Sequence, residues 1–287
     1  MRQLPLHHLL SGDRLKPVPR SYETMKYLFK DWKKIRDRIK RARTLLLFLD
    51  YDGTLTPIVS RPELALCPTE VKKQLERLRD LPGVYLAIIS GRSLEDVREK
   101  VRISGISYVG NHGLEIETSA GSHTDILSSA RKRELKRITR DLKNSFKEIP
   151  GILFEEKGPI LSIHYRRVPK KFFVKIPQTI EGEIERWGNH WKITHGKMSL
   201  EIRPNVDFHK GKAVREILKA FPPEERLSIY LGDDQTDEDA FRVFKTLGVS
   251  VFIGPGSFPS EANYFLRDPG EVQEFLSRCQ KARMEIR

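Results

Sequence analysis

The sequence predicts an α/β protein: a doubly wound parallel sheet interrupted by an inserted α+β unit. Three observations carry this. Short apolar runs, "TLLLFLD" (44–50), "VYLAIIS" (84–90) and "RLSIYLG" (226–232), alternate with stretches of helical period, as parallel sheets require. After Gly113 the rhythm changes to strand pairs joined by Gly turns. From Lys210 onward the first rhythm returns, so the core is discontinuous.

In chain order, residues 20–43 place Tyr22, Met25, Leu28, Phe29, Trp32 and Ile35 at helical spacing, predicting an amphipathic helix. Residues 1–43 are thus expected as a helical extension packed on the core through Tyr22, Leu28 and Trp32. Residues 44–49 are a buried strand, and 67–83 a helix opened by Pro68-Thr69 and closed at Pro82-Gly83. A strand at 84–90, a helix at 93–101 and a strand at 106–110 follow. The insert, 114–202, holds a basic helix near 129–148, two strands about Gly158-Pro159, a helical stretch interrupted at Pro177, and two strands within 190–204. The core, 44–113 and 203–287, resumes with helices at 211–221, 236–246 and 270–283 and strands at 227–231, 248–253 and 263–266. Hinges are expected near 113–116 and 202–208, where the insert leaves and rejoins.

Composition narrows the class. A chain of 287 residues, 38% hydrophobic and 32% charged, fits a water-soluble globular protein of one large or two moderate domains. No apolar run approaches the roughly 18 residues of a membrane span, and "MRQLPLHHLLSGDRL" has no h-region of a signal peptide. Cys67 and Cys279 lack metal or redox spacing and read as core residues in a reducing, cytoplasmic setting. The net charge of +13 raises nucleic-acid binding, but acids are interspersed in "KDWKKIRDRIKRAR" and no RNA- or DNA-binding signature occurs. A basic surface equally suits an anionic small substrate.

The chemistry gathers at strand ends, where parallel sheets bind ligands. "TLLLFLDYDGTL" drives an apolar strand into Asp50 and Asp52. Two such charges about 4 Å apart repel by about 4 kcal/mol at a surface-like dielectric, so something must compensate. Ser90 follows a second strand, "GNHG" (110–113) a third, and Asp233, Asp234 and Asp237 a fourth. Any one of these could simply cap a helix. Together, Asp50, Asp52 and Asp233 form an all-oxygen set suited to Mg2+. Lys210 starts the helix after the insert and can reach the same rim, whereas Lys212 would point elsewhere; either could be a solvated lysine. Neither a GxxxxGK[ST] phosphate loop nor a GxSxG elbow is present.

"FLDYDGT", "IISGR", "HKGKA" and "GDDQTDEDAF" resemble, in order, the four motifs of the haloacid-dehalogenase-like phosphatases, whose core is Rossmann-like. "LDYDGTLTPI", "GNHGLEI", "PGILFEEKGPILSIHYR" and "HGKMSLEIRP" are most similar to the trehalose-phosphate phosphatase family, over about 44–283. The resemblance implies a stand-alone, Mg2+-dependent hydrolase converting trehalose 6-phosphate to trehalose and phosphate through an aspartyl-phosphate. Asp50 would be the nucleophile and Asp52 the general acid and base. Mg2+ would sit on the Asp50 carboxylate, the Asp52 carbonyl and Asp233. Ser90 and Lys210 would hold phosphoryl oxygens, and Asp237 would orient Lys210 or a metal-bound water. Arg92 would help bind phosphate or cap a loop.

The insert would act as a cap that selects the sugar through Glu155, Lys157, His164, Lys197 and Glu201, with Asn111, His112 and Gly113 on the hinge side. The plainer reading makes Glu155 and Lys157 a solvated cross-strand pair and His164 a sheet histidine. Alternatives for the whole are a phosphatase of sucrose 6-phosphate or mannosyl-3-phosphoglycerate, a mutase, and a polyanion- or protein-binding module. The complete acid, hydroxyl and lysine set disfavours the last. A monomer is expected, with a trehalose-6-phosphate synthase as functional partner.

Overall fold

Strand β2 (Thr44–Asp50) sends Leu45, Leu47 and Leu49 into one apolar cluster and Leu46 and Phe48 into another, all buried. A strand covered on both faces has no polar side to alternate with. Burying these five side chains, at roughly 1.5–3 kcal/mol each, outweighs the repulsion at its acidic end. The computed structural model describes residues 25–59, 64–196 and 198–285. Tyr22 and Lys197 therefore lie outside the described residues.

Around β2 the main sheet is built from β3 (Val84–Ile89), β4 (Ser107–Gly110), β11 (Arg226–Gly232), β12 (Val249–Ile253) and β13 (Tyr264–Leu266), all parallel. Its order is β13-β12-β11-β2-β3-β4, so the winding reverses between β2 and β11. That reversal is where doubly wound sheets open a crevice. Helices α1 (Trp32–Arg41), α2 (Thr69–Arg79), α3 (Leu94–Val101) and α8 (Pro269–Met284) cover one face. Helices α6 (Lys210–Leu218) and α7 (Glu238–Leu247) cover the other.

Three local expectations differ from the structure. The stretch expected as one helix over 20–43 is divided within its described part, 25–43: β1 (Lys26–Tyr27) pairs parallel with Tyr264 and Phe265, a 3-10 turn spans Leu28–Asp31, and α1 starts at Trp32. Edge pairing of the sheet overrides the helical spacing there. The helix still packs as expected, burying Ile35 and Ile39 and setting Trp32 edge-on to Phe275 at 6.2 Å. Residues 114–125, assigned to the insert, instead add β5 (Glu115–Glu117) and β6 (His123–Asp125) antiparallel to the edge of the main sheet. Pro177 does not interrupt a helix, because it sits in the first turn of α5 (Lys175–Glu185), where its missing N–H needs no partner.

A second, antiparallel sheet has the order β7 (Leu153–Lys157), β8 (Ile160–His164), β10 (Ser199–Pro204), β9 (Trp191–Gly196). Leu200 and Ile202 of β10 turn into a cluster with α4 (Ser129–Ser145) and α5. Ser199, Glu201 and Arg203 alternate with them and lie on the opposite face. No helix among the described residues is long and apolar enough to cross a membrane.

Candidate active site

The carboxyl ends of β2 and β11 meet at the winding reversal. After Asp50 the chain folds into a tight loop, Thr56 N–H and Leu55 N–H both donating to the Tyr51 carbonyl. Gly53 turns that loop with φ +80, a left-handed conformation that side chains resist. Its Cα faces Asp233, and a Cβ there would stand 1.9 Å from Asp233 Oδ2. Across the rim, Asp237 Oδ2 accepts the N–H groups of Asp233 and Asp234, each at 3.1 Å, and Asp234 caps the turn through Thr236 N–H at 2.8 Å.

Lys210, the first residue of α6, closes the centre. Its Nζ donates to Asp50 Oδ1 at 2.7 Å and to Asp237 Oδ1 at 2.8 Å, and its side chain is 2% exposed. Tyr230 donates its hydroxyl to the same Asp237 oxygen at 2.6 Å. Burial opposes the lysine's charge, but Asp50 and then Asp237 outweigh it and raise its pKa above the ordinary value. Burial likewise pushes Asp50 well above the usual carboxylate range, with Asp237 and Asp233 adding to the effect and Lys210 opposing it. Asp233 is pushed up to about 7 by burial and by the charges of Asp237 and Asp234.

The centre therefore holds more acid than one ammonium balances. Oxygens of Asp50, Asp233 and Asp237 lie within 4.8 Å of one another, a spacing a metal ion could span. Both Asp237 oxygens already accept two donors each, which leaves Asp50 and Asp233 as the acids open to a metal. A hard divalent cation that takes few carboxylates and keeps waters fits that donor set.

Comparisons with known proteins agree with this geometry. A profile of the trehalose-phosphatase family matches residues 48–270. The chain belongs to that family. It is 34% identical over 266 residues to "Probable trehalose-phosphate phosphatase 2" of Oryza sativa, covering 84% of this chain and 69% of the relative. It is also 34% identical to "Trehalose-phosphate phosphatase B" of Arabidopsis thaliana, covering 83% and 67%. Among solved structures, Aspergillus fumigatus trehalose-6-phosphate phosphatase superposes with a TM-score of 0.64 at 28% identity, covering 90% of this chain and 99% of that one.

Within the family fold, the remaining predicted residues fall into two groups. Ser90 is buried at the end of β3 and its hydroxyl accepts Arg92 N–H at 3.1 Å. Arg92 grips Asp52 through two bonds of 2.7 Å and Asp96 at 2.8 Å. This fork fixes the orientation of the Asp52 side chain. His112 packs over Gly91, where a Cβ would sit 2.5 Å from the imidazole. Burial, then Lys210 and Arg203, lower the His112 pKa to about 4. Asn111 donates to Glu115 at 2.6 Å and to the Lys157 carbonyl at 2.9 Å, tying the loop after β4 to the second sheet. Gly113 packs on the His209 carbonyl.

The second sheet gathers the other group. Lys157 Nζ is 3.2 Å from Glu155 and 3.9 Å from Glu201, His164 Nε2 is 2.9 Å from Glu155, and Ser162 donates to Glu201 at 3.1 Å. Burial alone would raise the Glu155 pKa, but His164 and Lys157 outweigh it and lower it. Glu155 and Lys157 are not a cross-strand pair: they stand two residues apart on β7 and so share a face.

Three participants escaped the sequence reading. Tyr230 was hidden in the apolar run of β11, although it lies two residues before Gly232 and thus on the same side. Asp96 and Glu115 each lie four residues beyond the residue they hold, a spacing visible in the sequence but not informative without the loops' shape. Gly53→Ala tests the loop: the methyl must displace Asp233, so divalent-cation affinity by calorimetric titration should fall by roughly 10–100-fold with the circular dichroism spectrum retained. An unchanged affinity would remove Asp233 from the metal site.

Proposed function

We propose that the chain is a Mg2+-dependent phosphatase that hydrolyses trehalose 6-phosphate to trehalose and phosphate through an aspartyl-phosphate. The observation that carries the chemistry is the buried Lys210 bridging Asp50 and Asp237 beside Asp233, at the reversal point of the sheet. The substrate rests on the family and on what its named members act upon.

In this reading Asp50 attacks phosphorus, its carboxylate held in one rotation by the Lys210 bond at Oδ1. Asp50, Asp233 and the Asp52 carbonyl would hold Mg2+, which when bound would supply charge to offset the carboxylates and the phosphoryl oxygens. Ser90 and Lys210 steady those oxygens, and Asp237 keeps Lys210 in place rather than touching the reacting group. Asp52, gripped by Arg92, is ready as base for the hydrolytic water. To serve first as acid it must take a proton and leave that fork. The second sheet with α4 and α5 acts as the cap, its Glu155, Lys157, His164 and Glu201 cluster, together with Lys197, reading the sugar hydroxyls.

The supplier of substrate is a trehalose-6-phosphate synthase acting as functional partner. The chain itself acts as a cytoplasmic monomer, a compartment in keeping with its free Cys67 and Cys279. A panel of trehalose 6-phosphate, sucrose 6-phosphate and mannosyl-3-phosphoglycerate, assayed for phosphate release with Mg2+ and with chelator, tests the proposal. Trehalose 6-phosphate should turn over fastest and chelation should abolish the reaction. Preference for another sugar phosphate overturns the substrate, and indifference to chelator overturns the metal.

A further inference from the structure

Strands β9 and β10 set Lys192 directly opposite Arg203. Like charges facing each other across an antiparallel pair destabilise it. Among the described residues neither cation has a carboxylate ion-pair partner; the acid that feels Lys192, Asp207, is itself paired with Lys212 at 2.6 Å. Elsewhere on that sheet the charges are matched, Lys157 by Glu155 and Glu201, and His164 by Glu155. The unmatched pair lines a cavity of about 370 Å³ together with His112, Phe208, Gln235 and Thr236 of the main fold. That volume is near the lower end of ligand pockets, about 300–1,000 Å³.

The cavity adjoins the reaction centre without being part of it. Asp50, Asp52, Ser90 and Asp233 do not line it, nor do Glu155, Lys157, His164 and Glu201. Lys210 does, but its ammonium is engaged by Asp50 and Asp237. The one carboxylate in the lining, Asp239, is held by Arg242 at 2.7 Å. His112 adds a buried Nδ1 with no hydrogen-bond partner, and an unsatisfied buried polar atom costs free energy.

We propose that this cavity is a second oxyanion site, taking one inorganic phosphate between Lys192 and Arg203 of the small sheet and Gln235 and His112 of the main fold. Two cations with uncharged donors facing them are the chemistry that recognises phosphate. The occupant would bridge the two sheets and remove the repulsion between the cations. Binding there requires no turnover, so it stands apart from the substrate assignment.

Equilibrium dialysis of radiolabelled inorganic phosphate against the whole chain with Mg2+ tests it. Two sites per chain are expected, of which Lys192→Ala or Arg203→Gln weakens one by roughly tenfold or more and Ser90→Ala weakens the other. Lys192 is exposed and faces Arg203, so in phosphate-free buffer its variant should melt at or above the wild-type temperature. A single phosphate site in the wild type, or two intact sites in the Lys192→Ala/Arg203→Gln double variant, overturns the proposal. Preferential displacement from the Lys192 site by glucose 6-phosphate overturns the assignment to free phosphate.

Discussion

Asp50→Asn is expected to lower kcat for phosphate release by about 10⁴-fold or more, the scale of loss when a nucleophile is removed from a preorganised centre. The amide matches the carboxylate in shape but cannot form the acyl phosphate. The same substitution should not destabilise the metal-free protein. Burial already pushes the Asp50 carboxyl well above its usual range, so a neutral isostere relieves a desolvation cost, and Asp237 remains to pair Lys210. Phosphate release and thermal melting on the same preparation check both halves. Substantial turnover in the variant removes Asp50 as nucleophile. A sharp fall in melting temperature shows instead that its charge is structural.

Lys210→Met should have the larger effect on stability, about 3–5 kcal/mol, the cost of leaving a buried charge without its partner. Methionine keeps most of the stem's volume, so little of the loss is packing. Removing the ammonium takes the one cation from between Asp50 and Asp237 and pushes both carboxyls further up. A carboxyl whose folded pKa is raised binds protons more readily folded than unfolded. Its penalty is therefore small at low pH and grows as pH rises through the folded value. The deficit of the variant, from urea titrations, should shrink toward pH 5 and be greatest at neutral pH and above. A pH-independent deficit would assign the loss to packing rather than charge. Activity should be lost as well, since the Asp50 rotation is no longer held.

The two substitutions separate what one residue does chemically from what it does electrostatically. In the proposed reaction Asp50 is the nucleophile, and in the structure it is one of several crowded acids; Lys210 makes the crowding tolerable. Gly53 serves the same end by another route, its missing Cβ leaving space for Asp233.

Much of this was legible in the chain itself. Apolar runs ending in Asp50, Ser90 and Gly232 mark parallel strands because a strand buried on both faces has no polar alternation to show. Acids, a hydroxyl and a lysine placed at those ends and at a helix start then point to one rim. Local period misled where long-range pairing intervened, as at Lys26 and Tyr27, whose strand depends on Tyr264 and Phe265 far along the chain. It misled again at 114–125, where the edge of the main sheet captured segments assigned to the insert.

By itself, the sequence determined which residue types end each strand, and hence the class of chemistry available at the rim. Only the tertiary structure decided how those residues divide their work. Arg92 is committed to Asp52 and Asp96, Tyr230 to Asp237, and Lys192 stands against Arg203, because each pairing joins segments or shapes that no local pattern encodes. Strand ends follow from hydrophobic burial, which is read along the chain. Partnerships among charges depend on distances across it, which arise only once the sheets have closed.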